Sequence, residues 1–391
     1  MRKRHGKPKV LIITSLYGGL GHYAVHLQEF LKKYCNLYFV TYKKHFLTGA
    51  KINKPGDSLI SKNIKSPYYI IEHDSPSNIF DLIRLIRKLK IDLVNIHFGT
   101  TAIPLVFYYR TLSKKLKELK IPVVLTSHDV LLFTPAKNEI KELKLFYKEV
   151  SHIVVGNKTE LKKLINIFSI PKNKATIIEH GIYNKFDRGK FTEHSARKYL
   201  RLQNKKVILF FGFLRKYKGI LTLIDSMKVI AKKDKKAILH IAGSSYLEDF
   251  DILIKKEIKK NKLTKSIKFT DRYLSINEIE EIFKSADIVA LPYLSVSQSG
   301  VLSLALYFRK PVVVTDIFAE APIVHKKMGL VVKPDNPKQL ADSILYLLKN
   351  EDIAKKYGET GYKFIEKHRT WDKIAKKMYS IFCKYVKNRR S

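Results

Sequence analysis

The stretch LPYLSVSQSGVLSLALYFRKPVVVT, residues 291–315, joins a turn of small residues to an apolar helix and then to a buried-strand run. It contains no acidic residue. Ser297, Gln298, Ser299 and Gly300 stand where the helix would begin, and a helix N-terminus offers backbone N–H groups and a positive dipole end to an anion. The segment therefore predicts a phosphate-binding turn. Serine and glycine are also ordinary helix-capping residues, so a purely structural role is the alternative.

The composition restricts the fold class and the location. The chain has 391 residues, of which 45% are hydrophobic, so it is long enough for two domains with ordinary cores. Its longest apolar runs, such as residues 10–15 and 207–214, are strand-sized and predict no transmembrane helix. Cys35 and Cys383 are isolated, which favours neither a disulfide framework nor a metal cluster. We therefore expect a cytoplasmic protein.

The charge balance favours contact with polyanions. The chain carries 75 Lys and Arg against 35 Asp and Glu, a formal net charge of +40. Nucleic acid, anionic lipid and phosphorylated substrates all fit such a field. A general lysine-rich composition explains the same charge without any of these partners. Because the basic residues are not interleaved with a recognisable RNA-binding module, nucleic acid is the partner that we expect least.

Apolar strand-like runs alternate with amphipathic stretches along the whole chain, a pattern that predicts two doubly wound α/β domains with parallel sheets. The alternation breaks in the polar segment of residues 184–206, where we place the connection. The predicted domains are residues 1–185 at the N-terminus and residues 186–370 at the C-terminus. Residues 371–391 form a predicted helix that packs back on the N-terminal domain. Its apolar stripe consists of Trp371, Ile374, Met378, Ile381 and Phe382.

Glycines follow the first predicted strand, in KVLIITSLYGGLGHYAVHL. Gly19 and Gly21 lie at this strand-to-helix turn, where the lack of a side chain lets a ligand approach backbone donors. Their spacing is not G-x-G-x-x-G, and no acid follows at the usual ribose-binding distance, so dinucleotide binding is weakly supported.

Two cations follow a buried strand of the second domain, in FFGFLRKYKG. Gly212 ends the strand, and Arg215 and Lys218 occupy the turn that follows. Cations at the carboxyl end of a parallel strand suit a diphosphate, Arg through bidentate contacts and Lys as a point charge. In a lysine-rich chain, solvated surface residues are the alternative.

Taken in order, these motifs resemble the retaining family-four glycosyltransferases of the two-domain GT-B fold, over nearly the whole chain. GGLGHYAVHL is similar to their N-terminal glycine loop, TSHDV to their histidine loop, IIEHGIY to the turn before the inter-domain crossing and FGFLRKYKG to their phosphate clamp. Residues 291–316 resemble the donor-binding loop and helix, in the branch that carries Ser-Gln-Ser-Gly. The resemblance implies two Rossmann-like domains facing a cleft, with residues 1–185 on the acceptor side and residues 186–370 binding the donor.

The resemblance also implies roles for individual residues. Arg215 and Lys218 would hold the diphosphate of a nucleotide-sugar donor in place of a metal, so neither a metal nor another cofactor is expected. Backbone groups of Ser299, Gly300 and Val301 would meet the donor phosphate. Gly19 and Gly21, which would approach from the opposite domain, and Gly212 complete the predicted donor-binding set.

Three histidines follow predicted strands. His128, in TSHDV, matches the family's histidine that points at the transferred sugar; a histidine satisfied within the fold is the alternative. Asp129 would orient it or cap the next turn. For His97 and His180 we favour structural roles.

The donor loop departs from the family pattern. Most members carry two glutamates eight positions apart, one near the donor sugar and one accepting hydrogen bonds from the ribose; here Val296 and Leu304 stand at those places. Arg309 replaces a usual glycine, and Pro322 a common acid. Ribose recognition and the nucleotide are therefore open.

We expect transfer of a hexose to a hydroxyl of a glycan or of a polyprenyl-phosphate-linked saccharide. The aromatic and basic stretch of residues 102–121 favours peripheral contact with an anionic membrane at the inner face, although a normal surface helix explains it equally. A sugar-nucleotide epimerase or hydrolase of the same fold would need positioned acids, which the loop lacks. A non-catalytic basic protein on this scaffold, binding RNA or membranes, is the other alternative.

Overall fold

A computed structural model describes residues 6–15, 18–42, 68–71, 77–99, 103–131, 137–245, 250–325 and 327–390 of the chain. The chain divides into two compact units. The first unit consists of Met1–Gly181 with Thr370–Ser391, and the second unit consists of Ile182–Arg369.

Within its described residues, the first unit contains a seven-stranded parallel sheet of order β3-β2-β1-β4-β5-β6-β7. The strands are β1 (Lys9–Ile13), β2 (Asn36–Tyr42), β3 (Tyr68–Ile71), β4 (Leu93–Phe98), β5 (Val123–Ser127), β6 (His152–Val155) and β7 (Ala175–Ile177). Strands β4, β5 and β6 are buried along their whole length. Their near-continuous apolar runs are typical of a parallel sheet covered by helices on both faces.

The described helices of the first unit are α1 (Gly18–Leu31), α2 (Ser77–Leu89), α3 (Ile103–Glu118), α4 (Lys137–Glu149), α5 (Lys158–Asn166) and the C-terminal α14 (Trp371–Arg390). Helix α14 packs against α1. Its apolar stripe is buried at Trp371, Ile374, Met378 and Phe382, and half-buried at Ile381. Full burial of such side chains contributes about 1.5–3 kcal/mol each, which is enough to hold the helix on this unit.

The described part of the second unit contains a six-stranded parallel sheet of order β10-β9-β8-β11-β12-β13. Its strands are β8 (Lys206–Phe211), β9 (Ala237–Gly243), β10 (Ile267–Asp271), β11 (Ile288–Leu291), β12 (Val312–Thr315) and β13 (Gly329–Val332). Its helices are α6 (Glu193–Leu200), α7 (Ile220–Lys233), α8 (Phe250–Lys260), α9 (Ile276–Ser285), α10 (Gly300–Tyr307), α11 (Ala321–Val324), α12 (Pro337–Lys349) and α13 (Glu351–His368). Each unit therefore contains one Rossmann-like, doubly wound sheet, as the alternation of apolar runs predicts.

The polar segment of residues 184–206 is a folded part of the second unit. It contains a 3-10 turn, Asn184–Phe186, and helix α6. Thr192 caps α6 by accepting the Ser195 N–H at 3.1 Å, and Ala196 and Leu202 are buried. The chain passes between the units at residues 181/182 and 369/370, whereas the sequence placed these points at 185/186 and 370/371. The sequence did not predict helix α6 because the helix buries only a narrow face.

Both sheets reverse their strand order once, between β1 and β4 and between β8 and β11. In doubly wound sheets, ligands bind beyond the carboxyl ends of the strands at such switch points. A ligand-binding site is therefore expected in the loops that follow these four strands.

No helix in the described part of the chain is both long and apolar enough to cross a membrane.

Candidate functional site

Two loops of the second unit meet at its switch point. One follows β8 and carries the two predicted cations, and the other follows β11 and leads into α10. The Leu294 N–H donates to the Tyr217 carbonyl oxygen at 2.7 Å, which joins the loops. Gly219, at φ +66°, approaches the Pro292 carbonyl so closely that any side chain at position 219 would overlap it. The two segments that the sequence singled out separately thus form one structure.

Lys218 is a buried amine at this junction. Its residue is only 7% exposed, and its Nζ lies 5.5 Å from the centre of the Tyr293 ring. Among the residues that the structure describes, no hydrogen-bond acceptor or carboxylate pairs with this amine. Burial, followed by the charge of Arg215, lowers the pKa of Lys218 to about 7. Such an amine, buried without a counter-ion, is suited to receive an anion.

Gly212 lies close to both the Lys218 amine and α10. A side-chain carbon added at Gly212 would lie 3.0 Å from Lys218 Nζ and 3.4 Å from Val301 Cγ2. Its φ of +113° is a conformation that favours glycine. The structure therefore brings Gly212, Lys218 and Val301 together. Arg215 is half-buried at the start of the turn Lys216–Lys218.

Helix α10 begins where the small-residue turn predicts. Ser299 is its N-cap, and Ser299 Oγ accepts the Leu302 N–H at 3.2 Å. This hydrogen bond is the capping role that competed with anion binding in the sequence. It satisfies one of the first-turn donors, and the N–H groups of Gly300 and Val301 also belong to this turn, which has no intrahelical acceptors. We call Gly212, Lys218, Ser299, Gly300 and Val301 the phosphate site.

The positions of the two missing glutamates differ in burial. Leu304 is only 4% exposed within α10, and Val296 is half-buried in the preceding loop. Arg309 stands where the family usually has glycine. Its φ is +55°, a left-handed conformation that glycine adopts more readily than other residues. Its guanidinium lies 3.8 Å from the centre of the Tyr362 ring and pairs with Glu359 at 2.9 Å.

Pro322 lies in the short helix α11, where a proline near the N-terminus is compatible with helix geometry. An acid stands two positions earlier: Glu320 pairs with the buried Arg369 at 3.4 Å.

Three histidines converge in the first unit, at the carboxyl ends of its strands. Tyr23 of α1 makes edge contacts with the rings of His97, His128 and His180, at centroid distances of 5.3, 4.8 and 5.2 Å. The Trp371 ring lies 5.1 Å from Tyr23 on the same cluster. The sequence proposed His128 alone for function, and the structure places it together with the two histidines that were given structural roles.

Burial keeps the imidazoles of His97 and His128 neutral. It lowers the pKa of His97 to about 3. For His128, burial followed by the neighbouring His97 and His180 holds the pKa well below its usual range. His97 Nε2 lies 3.0 Å from the Asn95 side-chain oxygen, to which it donates. His128 is therefore a neutral hydrogen-bonding group.

The loop after β5 is fixed by buried polar groups. Fully buried Glu160 accepts the Val130 N–H at 2.8 Å, and the Tyr147 hydroxyl donates to the Val130 carbonyl at 2.7 Å. Ser127 Oγ donates to the Asp129 carbonyl at 2.9 Å. These contacts hold the turn that carries His128.

Gly19 and Gly21 lie in the first turn and a half of α1, Gly19 exposed and Gly21 buried. A side-chain carbon at Gly19 would meet nothing within 4 Å. Their approach to a donor stays a prediction. Within the described ranges, no group of three or more His, Cys, Asp or Glu residues is arranged to hold a metal ion.

Two residues were not identified from the sequence, one in the histidine cluster and one beside the phosphate site. Tyr23, the centre of the histidine cluster, stands in the glycine loop without a motif of its own. Tyr183 lies against Gly300, where a side-chain carbon would come 2.6 Å from its hydroxyl. Its signal in the sequence is only its place at the end of EHGIY.

Comparison with known families adds two matches. The model for Glycosyltransferase Family 4 matches residues 17–184, and the model for Glycosyl transferases group 1 matches residues 191–364. An uncharacterized glycosyltransferase of Methanocaldococcus jannaschii is 27% identical over 60% of this chain and 60% of its own length. Another uncharacterized glycosyltransferase from the same organism is 25% identical over 96% of this chain and 97% of its own length. The first of these matches thus spans about three fifths of its relative.

Solved structures share the fold. The Anabaena protein HepE, crystallised with UDP-glucose, superposes with a TM-score of 0.79 at 13% identity, covering 96% of this chain and 99% of that one. The two-domain GT-B fold is thereby confirmed.

Proposed function

Since this chain belongs to the GT-B glycosyltransferases, with a Glycosyltransferase Family 4 domain followed by a Glycosyl transferases group 1 domain, we propose that it transfers a hexose from a nucleotide-sugar donor. The acceptor in this proposal is a hydroxyl of a glycan or a lipid-linked saccharide. The transfer retains the anomeric configuration and needs no metal. The observation that carries the proposal is the buried Lys218 amine beside the N-terminus of α10.

The phosphate site supplies what a leaving diphosphate requires. Negative charge develops on the phosphate oxygens as the sugar leaves, and preorganised donors in a buried site stabilise that charge strongly. Lys218 contributes a cation, Arg215 a second cation in the same turn, and α10 the N–H groups of its first turn. These groups take the place that a divalent cation holds in other diphosphate-using enzymes.

Donor binding is coupled to protonation of Lys218. Its pKa of about 7 leaves the amine partly neutral near neutral pH, because burial penalises the charged form. A diphosphate nearby favours the ammonium form and raises the pKa. The donor therefore binds with uptake of a fraction of a proton.

The first donor to test is a UDP-sugar, since HepE was crystallised with UDP-glucose. Contacts to the ribose come from groups other than carboxylates at positions 296 and 304, where Val296 and the buried Leu304 stand. In the first unit, we assign His128 to the transferred sugar, as the family resemblance implies. Its neutral imidazole suits a hydrogen bond to a sugar hydroxyl.

A surface of the first unit fits the proposed lipid-linked acceptor. Phe80 of α2 is 66% exposed and Phe107 of α3 is 58% exposed. The two helices pack against each other, and both phenylalanines lie in the N-terminal halves, towards the carboxyl edge of the sheet. Exposed basic residues follow on the same helices, among them Arg84, Arg87, Lys88, Lys114 and Lys115. Aromatic residues beside basic ones favour anionic membranes.

Vesicle binding tests this surface. We expect the wild type to sediment with vesicles of anionic phospholipid. Replacing Phe80 and Phe107 by Ser should weaken binding about tenfold or more, because two apolar anchors are lost. The matched control is Ile252→Ser, a 60% exposed apolar residue of the second unit. Equal losses in both variants would contradict a specific docking surface.

Calorimetry tests the phosphate site. UDP, GDP, ADP and their glucose conjugates are titrated into the wild type, the double variant Arg215→Ala with Lys218→Ala, and Lys216→Ala. Lys216 is the exposed lysine of the same turn and serves as control. We expect the double variant to lose binding while Lys216→Ala keeps it. Unchanged binding in the double variant would overturn the proposed site. Nucleotide binding without transfer to any tested saccharide acceptor would instead favour a non-catalytic protein on this scaffold.

A further inference from the structure

The side chain of Tyr183 reaches the N-terminus of α10 from the beginning of the second unit. A carbon added at Gly300 would lie 2.6 Å from the Tyr183 hydroxyl oxygen and 3.0 Å from its ring. The first distance is shorter than real side-chain contacts and the second is tight, so a side chain at position 300 would have to displace Tyr183. The tyrosine, which is 6% exposed, thus borders the phosphate site that Gly300 and Val301 help to form.

The position of Tyr183 is set by several contacts. Its ring makes an edge contact with Phe186 at a centroid distance of 5.3 Å, and the Phe186 N–H donates to the Tyr183 carbonyl at 3.1 Å. Just before it, the Ile182 N–H donates to the Arg369 carbonyl at 3.1 Å. Just after it, Asp187 pairs with Lys284 of α9 at 2.9 Å. A side chain positioned in this way loses little entropy when it binds a ligand.

The chemistry of this place favours a phosphate oxygen as the partner of the hydroxyl. The first turn of α10 presents N–H groups and the positive end of the helix dipole. Lys218, buried and without an acceptor among the described residues, independently indicates that an anion completes the site. A tyrosine hydroxyl can donate one hydrogen bond, and hydrogen bonds to charged acceptors are stronger than neutral ones.

We infer that Tyr183 is a donor-binding residue whose hydroxyl donates a hydrogen bond to a phosphate oxygen of the nucleotide at the N-terminus of α10. This role rests on the phosphate site proposed above. The glycine of the Ser-Gln-Ser-Gly loop then serves two purposes, since it admits both the phosphate and the tyrosine.

The test compares Tyr183→Phe with Tyr199→Phe, the same change at a tyrosine that is 73% exposed. Whichever of UDP, GDP and ADP binds the wild type is titrated calorimetrically, and thermal unfolding is measured in parallel. We expect Tyr183→Phe to weaken binding about tenfold to a hundredfold, the value of one hydrogen bond to a charged group, with an unchanged unfolding temperature. Unchanged affinity overturns the role. A lowered unfolding temperature with unchanged affinity assigns the hydroxyl to capping the helix, and also overturns it.

A double-mutant cycle tests the pairing of Tyr183 with Gly300. Gly300→Ala alone should displace the tyrosine and weaken binding, whereas the added methyl group fits once Tyr183→Ala has made room. The two changes together should therefore cost much less than the sum of their separate effects. Additive effects would contradict the pairing and overturn the inference.

The outcomes separate this inference from the proposed function. If none of the three diphosphates binds the wild type, the phosphate site fails and the role of Tyr183 fails with it. If the wild type binds and the Arg215 and Lys218 double variant does not, the site stands, and Tyr183→Phe and the double-mutant cycle decide the role of Tyr183.

Discussion

Replacing Lys218 by Met should stabilise the protein, by an amount that depends on pH. The side chain is buried, so its charged form is disfavoured in the folded state, and Met fills a similar volume without a charge. Lowering the pKa from 10.5 to about 7 corresponds to a cost of about 5 kcal/mol for charging the amine in the folded protein.

The sign of the pH dependence follows from proton counting. Between about pH 7 and about pH 10.5, the unfolded chain holds the lysine proton and the folded protein does not, so the stability of the wild type rises with pH. The advantage of Lys218→Met should be largest below pH 7, at a few kcal/mol. It should shrink through this window and vanish near pH 10.5.

Denaturant unfolding of the wild type and Lys218→Met at several pH values measures this difference. Lys216→Met is the control, because Lys216 is exposed in the same turn and should show no such dependence. A difference that stays constant with pH, or a less stable Lys218→Met, would refute a buried amine of lowered pKa. Because the variant also loses the cation, we expect it to bind diphosphate poorly while folding better.

Three further results are expected. Diphosphate affinity of the wild type should fall as pH rises above about 7, because Lys218 must then take up a proton; calorimetry should show a flatter profile in Lys218→Arg, whose guanidinium stays charged. His128→Ala should lower the turnover rate at least tenfold while nucleotide affinity in calorimetry stays unchanged, and a matched loss of affinity would speak against its place at the sugar. Gly181→Ala should destabilise the first unit by about 2 kcal/mol or more, because a methyl group would overlap the Trp371 ring; the fluorescence of Trp371, the single tryptophan, reports this unfolding.

Much of the fold can be read from the sequence because buried parallel strands are continuous apolar runs. The same reasoning located the loops after β8 and β11, since ligand loops follow strand ends. In the sequence, Lys218 and Val301 belong to separate motifs. The order of the strands in the sheet brings these two motifs together.

Other features depend on contacts between distant parts of the chain. Tyr183 and Gly300 are widely separated in sequence, and no local pattern marks their contact. Helix α6 escaped notice because its sequence is mostly polar. Arg309 shows the reverse case: it stands where the family usually has glycine and has the left-handed backbone, while its side chain contacts Tyr362 and Glu359.

The most direct test of the phosphate site is a crystal structure with the nucleoside diphosphate that the wild type binds. We predict phosphate oxygens within hydrogen-bond distance of the Gly300 and Val301 N–H groups and of Lys218 Nζ. Phosphates bound elsewhere, with Lys218 still facing Tyr293 and no ligand, would contradict the account.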